Sequence, residues 1–209
     1  MLWVGWFGFN GGSALAADSA AASAILVTHI AASLGALSWA VIEWVRFGKP
    51  SLVGMVTGMV AGLATITPAS GFVGIEGGII LGLAGGVLCY YAVDLIRLKL
   101  KIDDSLDVFA VHGVGGILGS LLVAVLALES FSGTGLSDGQ TATGQLFIQV
   151  FGVILVVVWT FVFTYSNGYV TAISMLPAMP PASPTLVRDF CLVMSIKFMQ
   201  WLKIRLIIL

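Results

Sequence analysis

Long stretches of this chain carry no charged residue, and that feature constrains its fold more than any other. About 20 apolar residues in a helix cross the hydrocarbon core of a bilayer, and six charge-free segments approach or exceed that length. They are residues 2–17, 19–42, 51–75, 77–93, 108–128 and about 144–165. Only 9% of the 209 residues are charged, whereas soluble domains carry roughly a quarter. The sequence therefore predicts an all-α polytopic membrane protein with about six transmembrane helices in the lipid bilayer.

The composition also argues against other classes of protein. Disordered chains are rich in charge, and a disulfide scaffold needs more than the two cysteines of this chain, Cys89 and Cys191, which are far apart in the sequence. A net charge of −1 gives no indication of a nucleic-acid partner. The chain contains no P-loop, zinc-ligand spacing, catalytic triad or dinucleotide fingerprint. We therefore expect neither an enzyme nor a bound cofactor or metal.

The basic residues alternate along the chain with loops that lack them. The loops near Asp18 and Glu76 and at residues 129–138 contain no Lys or Arg. All nine basic residues fall in three groups: Arg46 and Lys49; Arg97, Lys99 and Lys101; Arg188, Lys197, Lys203 and Arg205. Cytoplasmic loops are enriched in Lys and Arg. Six spans then predict a multi-pass protein of the cytoplasmic membrane with both termini in the cytoplasm.

Two short sequence features complete this outline. Three acidic residues, Asp103, Asp104 and Asp107, stand beside the second basic group, and we expect a solvated, charge-balanced loop whose aspartates begin the next helix. The first segment is short and contains a turn-like sequence at residues 10–12. We interpret it as the outer end of a helix whose beginning is absent.

Glycines recur every fourth residue in three of the predicted spans. Small residues at this spacing make a flat stripe on a helix, which lets a second backbone approach closely within the membrane. The stripes are Gly54, Gly58 and Gly62; Gly78, Gly82 and Gly86; and Gly115 with Gly119. They predict a compact helical bundle and do not by themselves indicate a pore.

Two histidines lie inside predicted spans, where an ionisable side chain is costly and is by default a functional candidate. His112 follows Asp107 by five residues and precedes several glycines, which leave space for another group. A neutral imidazole donates from one nitrogen and accepts at the other, which suits passage of a proton or a polar solute. A histidine that ties two helices together is an equal alternative. For His29 we favour a polar contact between helices, because Thr28 and Ser33 are nearby.

Two further features indicate polar or aromatic groups at membrane depth. Thr67 and Pro68 interrupt the third span, because proline removes a backbone donor and disfavours helix before it. The first span carries Trp6 and Phe9 and then Ser13. These residues fit an interfacial aromatic belt or an aromatic constriction with a hydroxyl at its outer mouth, and the residues alone leave both open.

Four sequence blocks, in order and with family-like spacing, resemble the ammonium transporter (Amt/Mep/Rh) family. They are MLWVGWFGFNGGS at 1–13, FGKPSLVG at 47–54, TITPASG at 65–71 and DDSLDVFAVHGVGG at 103–116. The resemblance implies a homotrimeric, channel-like transporter with eleven spans per subunit, built as two inverted five-helix halves and a final long helix. This chain resembles the second half, from the end of the sixth span through the eleventh.

The resemblance also implies roles for individual residues. His112 matches the second member of the twin-histidine pair in the pore, and Trp6 and Thr67 match other pore-lining positions. Phe9 matches a gate phenylalanine at the outer entrance, and Ser13 matches the hydroxyl of the ammonium recruitment site. The implied mechanism recruits and deprotonates ammonium, or its analogue methylammonium, and then conducts ammonia through an apolar pore while histidines relay the proton. Asp107 and Pro68 are expected to be structural residues close to that pore.

The chain departs from the family pattern in two respects. The first half, with the other histidine of the pair, is absent, so we expect a partial transporter whose pore needs a second half. Family members continue the last helix into a cytoplasmic segment that docks a PII-type regulator, whereas here prolines follow Tyr165. We therefore divide the chain into a transporter-like domain at 1–166 and an atypical, frameshifted or replaced tail at 167–209. Residues 190–209 fit an amphipathic helix on the inner membrane surface.

Two alternative functions follow from the same residues. A half-transporter that does not transport could join full-length subunits and modulate them. Less favoured is a membrane haem protein with His29 and His112 as axial ligands, because their depths along the spans differ.

Overall fold

Six α-helices follow one another along the described part of the chain, in the order of the six predicted spans. The computed structural model describes residues 1–102, 104 and 106–175, with side chains described through residue 167. The helices are α1 (Leu2–Gly12), α2 (Ser19–Phe47), α3 (Leu52–Ile66), α4 (Ile75–Asp94), α5 (Val114–Leu126) and α6 (Ala142–Met175). A π-helical turn at Leu95–Lys99 extends α4, a second at Val108–Gly113 leads into α5, and a 3₁₀ turn at Glu129–Phe131 follows α5. The part of the chain described here contains no strand, which confirms the all-α prediction.

Four of the helical segments are long and apolar enough to cross a bilayer. They are Ser19–Phe47, Ile75–Lys99, Val108–Leu126 and Ala142–Asn167. The remaining two helices are shorter, with 11 residues in α1 and 15 in α3. The polytopic helical class is therefore confirmed, although two of the predicted spans fold as shorter helices.

Local capping sets the ends of α2. The Asp18 carboxylate accepts the Ala21 N–H at 3.0 Å and satisfies one of the unpaired donors at the helix start. At the other end Gly48 adopts a left-handed φ of 76° and its N–H donates to the Trp44 carbonyl at 2.8 Å. This glycine cap lies beyond residue 42, so α2 is more than one turn longer than the predicted span.

The structure corrects the turn expected at residues 10–12 and confirms the break expected at Pro68. Asn10 and Gly11 lie inside α1 and are buried, because α1 packs against α2 there and the Asn10 amide has partners on neighbouring helices. In contrast, α3 ends at Ile66, and residues 67–72 form turns instead of continuing the span. Proline at 68 cannot supply the N–H that a continued helix requires.

Each predicted glycine stripe lies at a helix crossing. At the α2–α3 crossing, a Cβ on Gly62 would collide with the carbonyl oxygen of Ala31. At the α2–α4 crossing, a Cβ on Gly82 would lie 2.7 Å from the Ala31 Cα. At the α3–α5 crossing, a Cβ on Gly119 would meet the carbonyl oxygen of Thr65. The absence of side chains therefore allows these backbones to touch, as small residues do in membrane bundles.

The two ends of the bundle are held by different contacts. At one end Arg46, on α2, pairs with Asp94, on α4, at 2.7 Å. At the opposite end the loop after α5 meets the turns after α3, where the Thr134 N–H donates to the Phe72 carbonyl at 3.0 Å. Most apolar side chains of α6 are exposed, although Val156 is buried.

Helix α6 continues past the predicted end at residue 165 and reaches Met175. The prolines after it, and the amphipathic segment predicted at residues 190–209, lie outside the described residues.

Candidate functional site

Trp6 and His112 form a ring stack between α1 and the π-helical turn that precedes α5. Their ring centroids lie 6.2 Å apart and the planes are inclined by 18°. Both residues are half-buried. An indole face and an imidazole are thus held together at a surface that the rest of the bundle leaves partly open.

A chain of side-chain hydrogen bonds supports the indole of Trp6 from behind. Its Nε1–H donates to the Thr67 hydroxyl at 2.7 Å, and Thr67 lies immediately after α3, at the proline break. The Asn10 amide nitrogen donates to the hydroxyls of Thr28 at 2.9 Å and Thr67 at 3.4 Å. Asn10, Thr28 and Thr67 are all buried. Side chains of α1, of α2 and of the residue after α3 therefore form a polar seam inside an otherwise apolar region.

Phe9 and Ser13 continue the site toward the end of α1. The Phe9 ring meets Trp6 edge-on, with centroids 6.1 Å apart and an interplanar angle of 76°, and is 44% exposed. The exposed Ser13 hydroxyl donates to the Phe9 carbonyl at 2.8 Å. Phe9, Trp6 and His112 therefore form a row of three rings, with a surface hydroxyl at the Phe9 end.

The second histidine lies apart from this row. His29 is exposed and stacks on Trp3, with centroids 5.1 Å apart and planes inclined by 28°. The polar contact between helices that was expected of His29 is made instead by its neighbour Thr28, whose hydroxyl accepts the Asn10 amide N–H at 2.9 Å. Each histidine thus occupies its own aromatic stack, and none of the described residues groups three or more His, Cys, Asp or Glu as a metal site.

Asp104 and Asp107 hold the start of the helix that carries His112. The Asp104 carboxylate accepts the N–H groups of Phe109 at 3.2 Å and Ala110 at 2.9 Å. This confirms a helix-starting aspartate, but the expected solvated loop is wrong for Asp104, whose side chain is buried beneath those amides. Buried carboxylates need such donors to offset lost hydration.

Asp107 pairs with Arg97 across the same loop. The Arg97 Nε lies 2.8 Å from the Asp107 Oδ1 and donates to the Asp104 carbonyl at 3.0 Å. Partial burial raises the pKa of Asp107, Arg97 lowers it in part, and the neighbouring Asp104 raises it further. Asp107 has a left-handed φ of 53° and its carbonyl accepts the Val111 N–H at 2.8 Å. The loop thereby fixes where the His112 turn begins.

The structure brings together most of the residues singled out from sequence. Trp6, Thr67, Phe9 and His112 are linked by contacts, Pro68 follows Thr67, and Ser13 binds the Phe9 backbone. Sequence reasoning missed Asn10 as a partner, since an Asn-Gly pair is typical of turns. Asn10 lies nine residues before the second predicted span, and no local pattern indicated that its amide would be buried.

This fold and site define the class: a helical membrane protein of several spans with an aromatic and imidazole row on a partly open face. The chain matches the Ammonium Transporter Family over residues 1–178, and it belongs to that family.

Named relatives agree with this assignment. The chain is 49% identical over 168 residues to the putative ammonium transporter of Methanothermobacter thermautotrophicus, covering 79% of this chain and 41% of the relative. It is 48% identical to ammonium transporter Amt1 of Archaeoglobus fulgidus, covering 70% and 38%. The crystal structure of Candida albicans Mep2 superposes with a TM-score of 0.75 at 33% identity, over 87% of this chain and 41% of Mep2. This chain thus spans about two fifths of the length of the relatives it matches.

Proposed function

We propose that this chain supplies one wall of an ammonium-conducting pore in the cytoplasmic membrane. Ammonium is recruited near Ser13 and Phe9 and deprotonated, and ammonia then passes Trp6 and His112 while His112 helps relay the proton. The observation that carries this proposal is the Trp6–His112 stack on a half-buried face. Such a face can line a pathway once a second wall covers it.

The geometry at the outer end suits a small cation. Because the Ser13 hydroxyl uses its proton on the Phe9 carbonyl, its oxygen faces outward as an acceptor, which is what an N–H donor such as ammonium requires. The exposed Phe9 ring offers a π face beside it, and such faces attract a cation by about 0.5–2 kcal/mol. Hydrogen bonding and cation–π attraction therefore act on the same small volume.

Passage past Trp6 and His112 favours the neutral amine. An unpaired charge in an apolar, low-dielectric region is far costlier than a neutral polar molecule, so loss of the proton before the narrow part lowers the barrier. Neutral imidazole can accept a proton on one nitrogen while it donates from the other. Thr67, at the end of α3 beside Pro68, holds the Trp6 indole that forms this part of the proposed pathway.

We propose that the second wall of the pore comes from another transporter half, related to the half described here as an inverted repeat. The matched relatives are more than twice as long as the aligned part, and the inverted-repeat plan places a substrate pathway between the halves. We further propose that the intact protein is a homotrimer with a cytoplasmic C-terminus. Residues 1–166 form the transporter domain. A PII-type protein regulates it only where the tail at 167–209 permits docking.

A chimera tests the proposed function directly. Residues 1–175 would replace the aligned segment of the archaeal relative that is 48% identical, and uptake of labelled methylammonium would be measured in cells that lack their own uptake. We expect uptake near that of the parent transporter and well above the empty vector. A chimera that reaches the membrane at parental levels and takes up nothing would contradict the proposal.

A single hydroxyl separates recruitment from conduction in the same chimera. Ser13→Ala removes the acceptor offered to the cation, so the half-saturation concentration should rise about tenfold, as for a lost hydrogen bond to a charged group. The maximal rate should change little. Ser19→Ala is the matched control, because Ser19 is also exposed and lies at the start of α2. An equal effect of both variants would remove Ser13 from the recruitment site.

A second candidate function is modulation of full-length subunits by this half-transporter. The broad exposed apolar surface of α6 favours it, because such a surface must meet lipid or another protein. Co-purification of the tagged chain with a full-length transporter, with reduced uptake, would support modulation. Purification of the chain alone, with normal uptake by the full-length protein, would exclude it.

A further inference from the structure

The buried amide of Asn10 lies at the centre of the polar seam, and no role has been given to it above. It is 3% exposed and lies on α1, one helical turn from Trp6. Its Nδ2 carries two protons, and these match two acceptors, the Thr28 hydroxyl at 2.9 Å and the Thr67 hydroxyl at 3.4 Å. One side chain of α1 thereby ties α2 to the residue that ends α3.

The hydroxyl of Thr67 has its bonding capacity filled by these contacts. Its proton is donated to the Leu63 carbonyl at 2.6 Å, and its oxygen accepts the Trp6 indole N–H at 2.7 Å and the Asn10 amide at 3.4 Å. A hydroxyl offers one donor and two acceptor positions. Thr67 therefore holds neighbouring side chains and has no position left for a passing amine.

Thr28 anchors the other end of the network. Its hydroxyl donates to the Ala24 carbonyl at 2.6 Å, which fixes its rotamer and turns its lone pairs toward Asn10. Thr28 is fully buried, so water does not compete for these bonds. The direction of the Asn10 amide is thus set by α2 and passed to Thr67.

We propose that Asn10 is a positioning residue: its amide, anchored on Thr28, orients the Thr67 hydroxyl so that Thr67 holds the Trp6 indole over His112. Its effect on transport rests on the proposed function, whereas its effect on the indole does not. Trp3 provides the contrast, because its indole nitrogen is buried without a hydrogen-bond partner among the described residues and its imidazole neighbour is exposed.

The indole N–H signal of Trp6 tests the proposal without any transport assay. The full chain, labelled with ¹⁵N at its tryptophan indoles, would be placed in lipid nanodiscs, and the Trp6 cross-peak would be assigned by its loss in Trp6→Phe. In Asn10→Ala we expect that cross-peak to shift toward the position of an indole without a hydrogen bond, or to broaden. The cross-peak of Trp39, which is buried against Tyr90 far from the seam, should stay in place and report an intact fold.

Two variants at Thr28 keep the test decisive where Asn10→Ala disturbs the fold. Thr28→Val removes the anchoring hydroxyl at nearly constant volume and should move the Trp6 cross-peak. Thr28→Ser retains the hydroxyl, and its Trp6 cross-peak should stay at the position seen in the parent chain. A Trp6 cross-peak that stays unchanged in both Asn10→Ala and Thr28→Val, with Trp39 in place, overturns the proposal.

Transport measurements keep this proposal separate from the proposed function. In the chimera, Asn10→Ala should lower the maximal methylammonium rate about fivefold, as for one lost hydrogen bond, and Thr28→Ser should not. If the chimera that keeps Asn10 does not transport, the proposed function is contradicted. The indole result then decides the role of Asn10 by itself. A shifted indole with an unchanged rate in a transporting chimera supports the positioning of the indole by Asn10 and contradicts the expected effect of that positioning on transport.

Discussion

Two tryptophan–histidine stacks lie side by side on this molecule, and they differ in how they are held. Trp3 and Trp6 are three residues apart on α1, and each faces one histidine. The Trp3–His29 centroids are closer, at 5.1 Å, than the Trp6–His112 centroids, at 6.2 Å. Ring distance therefore does not distinguish a candidate pore residue from an exposed one.

Hydrogen bonding and backbone fixation make the difference. The indole of Trp6 is bonded to Thr67, while that of Trp3 has no such partner within the described part of the chain. His29 belongs to a continuous helix and is exposed, whereas His112 lies in a π-helical turn fixed by Asp104 and Asp107. Contacts from neighbouring helices therefore hold the Trp6 indole, whereas the Trp3 indole lacks that restraint among the described residues.

The largest expected effect comes from removing each histidine in turn. In the chimera, His112→Ala should reduce proton-coupled methylammonium transport about 100-fold, the size typical of a lost proton-transfer group. His29→Ala should change the rate by less than about twofold, as surface substitutions do. Initial rates at equal membrane expression measure both. Unchanged uptake in His112→Ala would contradict the proposed role of His112 in proton relay. Equal losses of uptake in His112→Ala and His29→Ala would show that the two stacks do not differ in function.

A glycine at the α3–α5 crossing should give the next largest effect. Gly119→Ala places a methyl group against the Thr65 carbonyl oxygen, so the helix that follows His112 must move away from α3. Overpacking of this kind costs about 1–3 kcal/mol, and the midpoint of thermal unfolding in detergent should fall.

Gly5→Ala is the matched control on the helix that both stacks share. A Cβ on Gly5 meets nothing within 4 Å, and alanine in a helix is more favourable than glycine by roughly 0.5–1 kcal/mol. We expect an unchanged or slightly higher midpoint. Equal midpoints for Gly119→Ala and the parent chain would show that α5 is not fixed by this contact.

The smallest expected effect is a pH dependence of stability that arises from Asp107, in the loop before His112. Burial raises the pKa of Asp107 above its ordinary value of 3.8, with Arg97 opposing and Asp104 adding to the rise. At pH values between the ordinary pKa of the unfolded state and the raised pKa of the folded state, the folded state binds more protons. The free energy of unfolding therefore falls as pH rises through that range. Asp107→Asn should flatten this part of the stability curve, measured as unfolding midpoint against pH. The same slope in both proteins would assign the dependence to another group.

Much of the architecture could be predicted from the sequence, because membrane insertion depends on local properties. Charge-free runs locate the helices, since each span must satisfy its own backbone hydrogen bonds in lipid. The glycine stripes at Gly62, Gly82 and Gly119 predicted close crossings, and the structure has them at backbone contact. Pro68 predicted a break, and α3 ends two residues before it.

Other features depended on residues distant in sequence and were not predictable from it. Asp104 looked like a solvated loop residue and is buried under the amides of Phe109 and Ala110. The Asn10–Gly11 pair looked like a turn and lies inside α1, because its amide meets Thr28 and Thr67. Hydrogen-bond partners on other helices outweigh the local preference of a residue.

The sequence by itself determined the helical membrane class and the order of the spans, since hydrophobic length and charge act locally along the chain. Its ordered blocks also carried the likeness to ammonium transporters. Only the tertiary structure decided that Trp6 stacks on His112 while Trp3 stacks on His29, and that Asn10 joins three helices. Those arrangements depend on helix rotation and on which buried donors find acceptors across helices, which no local pattern specifies.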